Sequence, residues 1–130
     1  MSSPPHPTDG ELAILRILWS RNAPTTVREV HEVLQQTKDT AYTTVLKILT
    51  IMYEKGLVRR DESERSHRFV ACHPEPVVEA SLLKDFVQRT FGGSAVKLIQ
   101  RALDEQASAD ELDAMTRLIE DAKAKKARRP

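Results

Sequence analysis

The chain has 130 residues, enough for one compact domain or two small ones and too few for a multidomain enzyme with a large substrate cleft. Hydrophobic residues make up 40% and charged residues 30%, and the longest unbroken apolar run is four residues, Leu12 to Leu15, which excludes a membrane-spanning helix. A net charge of +1 hides a partition: residues 1–73 carry +1, residues 74–122 carry −5 and residues 123–130 carry +5. An acidic middle block is repelled by phosphate, so nucleic-acid binding, if present, belongs to the first segment with help from the tail. The opening MSSPPHPTDG lacks a basic stretch followed by an apolar core, which predicts a cytoplasmic protein. A single cysteine, Cys72, excludes an intrachain disulfide.

Residues 1–7 read as a disordered lead. Thr8-Asp9-Gly10-Glu11 has capping-box spacing and opens a first helix with Leu12, Leu15 and Trp19 on one face, ended by Asn22-Ala23-Pro24. Thr26-Val27-Arg28-Glu29 repeats that signature, and Val30, Val33 and Leu34 form the stripe of a short second helix. A third helix is predicted from about Thr40 to Lys55, with Ala41, Val45, Ile48, Leu49 and Met52 on its apolar face and Gly56 as a left-handed cap. Leu57 to Arg60 and Ser66 to Ala71 then flank a polar stretch, as two antiparallel strands around a loop do. His73-Pro74-Glu75-Pro76 marks a boundary. Three further helices follow: Val77 to Phe91, a second after Gly92-Gly93 with Ser94 as its cap, and a last one opened by Ser108-Ala109-Asp110-Glu111. The tail from Lys123 to Pro130 is a charge run expected to fray.

Helix, helix, helix and hairpin in about 65 residues is the order of a winged helix-turn-helix, whose third helix enters the major groove. The predicted fold class is therefore mainly α, with a winged helix-turn-helix over residues 8–73 and a helical dimerisation domain over residues 74–122. Opposite the buried stripe of the third helix stand Thr43, Lys47 and Thr50, with Tyr42 and Thr44 near its amino end and no carboxylate before Glu54. That face suits phosphate and base edges, although a solvated face has the same composition. Arg59, Arg60, Arg65 and Arg68 cluster on the hairpin beside Asp61, Glu62 and Glu64, which fits either a wing meeting phosphate or a salt-bridged edge.

LWSRNAPTTVREVHEVL, then AYTTVLKILTIMYEKGLV, then RSHRFVA closely resemble the penicillinase-repressor family of BlaI, MecI and CopY type, and Arg89 to Ser94 (RTFGGS) resembles that family's Phe-Gly-Gly joint. The likeness runs from about residue 8 to 121. It implies a homodimeric repressor, acting on β-lactamase, antibiotic-resistance or related stress genes, that binds a palindromic double-stranded DNA operator and is relieved by cleavage in the dimerisation region by a membrane sensor-protease. Carried over by motif, Ala41, Tyr42, Thr43, Thr44 and Lys47 are the recognition-helix residues, with Arg65, His67 and Arg68 on the wing and Arg60 beside them. Phe86, Phe91, Leu98, Ile99, Leu112, Met115, Leu118 and Ile119 form the stripe expected to dimerise; a closed monomer core is the alternative for the same residues.

Three departures stand out. The Asn-Phe bond cut in staphylococcal members is absent, since Asn22 is the only asparagine and lies far from the dimer region, so induction either does not run through proteolysis or uses another bond. The clustered carboxy-terminal cysteines of the copper-responsive members are absent, and Glu64 stands where the family commonly has a wing-tip glycine.

Cys72 and His73 with His67 or His31 match no common closed metal site, and adjacent Cys and His on a strand face apart, so neither metal, cofactor nor catalysis is expected. No small-molecule ligand is evident. The competing reading is a helical protein-interaction adaptor that needs no basic face.

Overall fold

The computed structural model describes residues 4–105 and 107–128. Residues 1–3 of the expected lead, residues 129–130 of the basic tail and Gln106 lie outside the described residues. The chain forms α1 (Asp9–Arg21), β1 (Thr25–Thr26), α2 (Val27–Gln35), α3 (Tyr42–Lys55), β2 (Val58–Asp61), β3 (Arg68–Ala71), α4 (Glu75–Phe91), α5 (Ala95–Glu105) and α6 (Ala109–Ala127). It divides into two compact units, Met1–Leu83 and Lys84–Pro130.

Helix starts follow local chemistry. Thr8, Thr26 and Ser108 each accept from the backbone N–H three residues on, and Glu11, Glu29 and Glu111 reach back to the cap N–H, so two otherwise unpaired donors are satisfied at each start. α1 ends where Asn22 adopts the left-handed conformation at φ 50°, which its short polar side chain tolerates, and α3 ends at Gly56 with φ 82°.

The first unit closes around Ile14, Leu15 and Leu18 of α1, Val27 and Val30 of α2, Val45, Leu49 and Met52 of α3, and Leu57, Val58 and Phe69 of the hairpin. The buried stripe of α1 thus centres on Ile14, Leu15 and Leu18, while Leu12 and Trp19 are half-buried at its margin; the Trp19 indole N–H donates to the His73 carbonyl at 3.0 Å. Ala41 was expected on the apolar face of α3 but is its exposed N-cap, because the helix opens at Tyr42 rather than Thr40. A strand absent from the sequence reading also appears. Thr25–Thr26 pairs antiparallel with β3, giving a three-stranded sheet of order β1-β3-β2 in which Thr25 faces Phe69 and Arg60 faces Phe69 from the other side. Two residues carry no alternation to detect, and only the tertiary approach of β3 makes them a strand.

Within the second unit the carboxy-terminal helix continues through Ala127, past the expected end at Ala122 and into the basic run. Alanine and lysine are strong helix formers, and Lys125 and Lys126 in the last turn meet the negative end of the helix dipole.

Candidate nucleic-acid interface

The α2–α3 turn sets the entry of the third helix. His31 Nε2 donates to the Thr40 carbonyl at 2.7 Å, and its ring meets Tyr42 edge to face with centroids 5.7 Å apart. Gln35 Oε1 accepts from the Thr40 N–H. From this fixed start Val45, Leu49 and Met52 turn into the core, and Tyr42, Thr43, Thr44, Leu46 and Lys47 face outward.

A groove of about 240 Å³ separates α3 from the wing. Tyr42, Leu46 and Thr50 line it from α3, and Arg60, Arg65 and His67 from the hairpin. Of the expected binding residues, Tyr42, Arg60, Arg65 and His67 are therefore brought together. Thr43, Thr44 and Lys47 lie on the exposed face of α3 outside the groove lining, and Ala41 sits at the helix start. Arg28, in the first turn of α2 and outside the expected binding residues, joins the groove wall. Its signal was present in outline, as the exposed cation of the second capping box, but only the packing of α2 against α3 turns it toward the wing.

The wing arginines differ in how far they are already engaged. Arg60 stacks over the Tyr53 ring with its guanidinium 4.2 Å from the centroid, and pairs with Glu62 at 2.5 Å. Its Nε is buried without a partner. Arg68 reaches Glu64 at 3.6 Å across exposed surface, a weak pair. Arg65 and Lys47 form no ion pair among the described residues. The acidic tip thus masks Arg60 more than Arg65.

The wing tip that carries Glu64 holds no left-handed residue, since Asn22 is the only non-glycine with positive φ among the described residues. Asp61 Oδ1 instead accepts from the Ser63 N–H at 2.9 Å, and this bond, with the Ser63 side chain and Arg68, holds the Asp61 carboxyl below its ordinary pKa. At the far side of the unit, Cys72 is half-buried, and desolvation pushes its thiol pKa up against the opposing charge of Arg59. A protonated thiol is a poor nucleophile and metal ligand. No cluster of three or more His, Cys, Asp or Glu side chains suited to a metal occurs among the described residues.

In the second unit the apolar side chains find little cover. Phe86 and Phe91 meet edge to face at 5.7 Å, and Leu98 and Met115 are half-buried, but Ile99, Leu112, Leu118 and Ile119 are exposed. No residue of α5 or α6 is buried.

No helix among the described residues is long and apolar enough to cross a membrane. The family profile described as penicillinase repressor matches residues 7–121. The transcriptional regulator BlaI of Mycobacterium tuberculosis is 34% identical over 122 residues, covering 94% of this chain and 88% of that protein. The methicillin resistance regulatory protein MecI of Staphylococcus aureus is 20% identical over 113 residues, covering 86% and 91%. A solved structure described as the complex structure of hsRosR-S4 superposes with a TM-score of 0.54 at 15% identity, over 91% of this chain and 90% of that one, and shares the fold. With its winged helix-turn-helix and a family match that spans nearly its whole length, the chain belongs to the penicillinase repressor family.

Proposed function

We propose that the protein is a homodimeric transcriptional repressor that binds a palindromic DNA operator, of antibiotic-resistance or related stress genes, through paired winged-helix domains. The groove between α3 and the wing carries this reading, because it gathers Arg28, Arg60, Arg65, His67 and Tyr42 beside a recognition face without a carboxylate until Glu54. Thr43 and Thr44 serve as base-edge donors and acceptors at the start of α3, where recognition helices make their base contacts, while Lys47, Arg60, Arg65 and Arg68 neutralise phosphate and His67 offers it a ring N–H. Ala41 lets the backbone approach closely.

In this reading residues 8–73 bind DNA, residues 74–122 dimerise, and the lead and the tail from 123 to 130 flank them. The dimer supplies the effective concentration that makes two weak half-site contacts one strong one. Repression is relieved when a membrane sensor-protease cuts within Gln100 to Asp110, a span that takes in the end of α5, the joint and the start of α6. The protein acts in the cytoplasm, where its operator lies.

Footprinting of the purified protein on the DNA upstream of its own gene tests the proposal. A protected inverted repeat, with affinity falling steeply as salt rises, is the expected result. Protection of a single unpaired half-site, or affinity indifferent to salt, would overturn it and favour a protein-interaction adaptor.

A further inference from the structure

The last helix has an ordered charge distribution. Asp110, Glu111 and Asp113 occupy its first turns, and Lys123, Lys125 and Lys126 its last. At 100° per residue, Leu112, Met115, Leu118, Ile119 and Ala122 share one arc, and Glu111 and Lys126 lie on that same arc at its opposite ends. Asp110, Asp113, Arg117, Glu120 and Asp121 fall on the other side. The arc is uncovered in one copy: Leu118 is 67% exposed and Ile119 50%.

We infer that this arc is covered by α6 of a second copy, packed antiparallel about a two-fold axis between Leu118 and Ile119. The inference rests on the dimeric reading above and specifies its geometry. Such an axis sets Leu118 against the partner's Ile119, Met115 against the partner's Ala122, and Glu111 against the partner's Lys126. Leu112 meets the aliphatic stem of the partner's Lys125, whose ammonium reaches water beyond it. A parallel pair would instead oppose Glu111 to the partner's Glu111 and Lys126 to the partner's Lys126, so charge selects the antiparallel arrangement. The acidic start and basic end of α6 then act as one recognition device, and the carboxy-terminal lysines serve assembly.

A two-fold axis makes each Glu111–Lys126 contact twice, so one reversal turns two attractions into two repulsions. By sedimentation equilibrium of the full chain, Glu111→Lys and Lys126→Glu should each weaken self-association about tenfold, and the double variant should return to within about threefold of the unaltered protein. Glu111 also closes the Ser108 capping box, so its reversal costs helix stability as well; charge pairing alone predicts recovery when Lys126→Glu is added. In a Cys72→Ser background, Leu118→Cys should be joined into dimers by a short bis-maleimide and Asp113→Cys should not. An unaltered chain that sediments as a monomer would overturn the dimeric reading and this pairing with it. A dimer without recovery in the double variant, or without cross-linking at position 118, would overturn the α6 pairing alone. Unchanged dimerisation in both single variants, with a lower salt slope for DNA binding in Lys126→Glu, would assign the basic end to phosphate and overturn it equally.

Discussion

Single side chains divide the interface into positioning and reading. Lys47 is exposed and unpaired among the described residues, and Arg68 makes a loose 3.6 Å pair with Glu64 within reach of the Asp61 and Glu29 charges, so Lys47 and, at the cost of weak exposed pairing, Arg68 can meet phosphate. Replacing either by Ala should weaken binding to operator and random duplex alike and lower the slope of log affinity against log salt by about one unit. Thr43→Ala and Thr44→Ala should instead shrink the ratio of specific to random binding, read from competition titrations. A different chemistry governs Glu11, which is 4% exposed and accepts from Lys55 Nζ at 2.6 Å and from the Thr8 N–H. Burial opposes its ionisation, but the Lys55 and Thr8 bonds outweigh burial and leave its pKa below 4.5. A lowered folded pKa contributes stability that is fully present above pH 4.5 and lost as pH falls through the folded value. Lys55→Ala, which leaves the carboxylate buried with only the α1 cap for company, should cost about 2 kcal/mol at neutral pH and less in acid, measured by urea unfolding across pH 3 to 7.

At the scale of elements, each capping box fixes where a helix begins and therefore which residues face the core. The Thr8 box places Ile14, Leu15 and Leu18 inward, and the Thr26 box places Val27 and Val30 inward while leaving Arg28 outside beside the wing. Thr26 also pairs with Arg68 in the β1–β3 ladder, so this one residue ties α2 to the wing. Thr26→Ala should cost about 1 kcal/mol from the lost cap and lower operator affinity through looser placement of the wing, whereas Ser108→Ala should cost a similar amount in the second unit without touching half-site recognition. Chemical denaturation paired with half-site titrations of the two variants separates these effects.

For the whole molecule the decisive feature is the contrast between the two units. The first encloses a core of aliphatic and aromatic side chains; the second leaves Phe86, Ile99, Leu112, Leu118 and Ile119 exposed. If the chain pairs as proposed, cutting between α5 and α6 detaches Leu112, Met115, Leu118 and Ile119 from the pairing surface. Two buried aliphatic side chains at about 1.5–3 kcal/mol each correspond to two or more decades of dimer affinity, at about 1.4 kcal/mol per tenfold. Mass spectrometry of the protein from derepressed cells should therefore show a fragment ending between Leu98 and Asp110. Intact protein throughout full derepression would rule out relief by cleavage in this region.

The sequence by itself determined the starts of α1, α2 and α6, because a cap is a contact between residues three apart, and it placed Val45, Leu49 and Met52 of α3 in the core, because the 3.6-residue period is local; α3 has no side-chain cap, and its start and the exposure of Ala41 were not legible. It also determined the family, through the AYTTV block and the wing. Tertiary structure alone decided the rest. β1 exists only because β3 comes alongside it, Arg28 faces the wing only because α2 packs on α3, and Glu11 holds Lys55 across 44 positions of sequence. The masking of Arg60 by Tyr53 and Glu62 was equally hidden, since a cluster of arginines reads the same whether its guanidiniums face water or stack on a ring. Local patterns report what neighbours in sequence dictate, whereas long-range pairing depends on how elements meet, which no periodicity records.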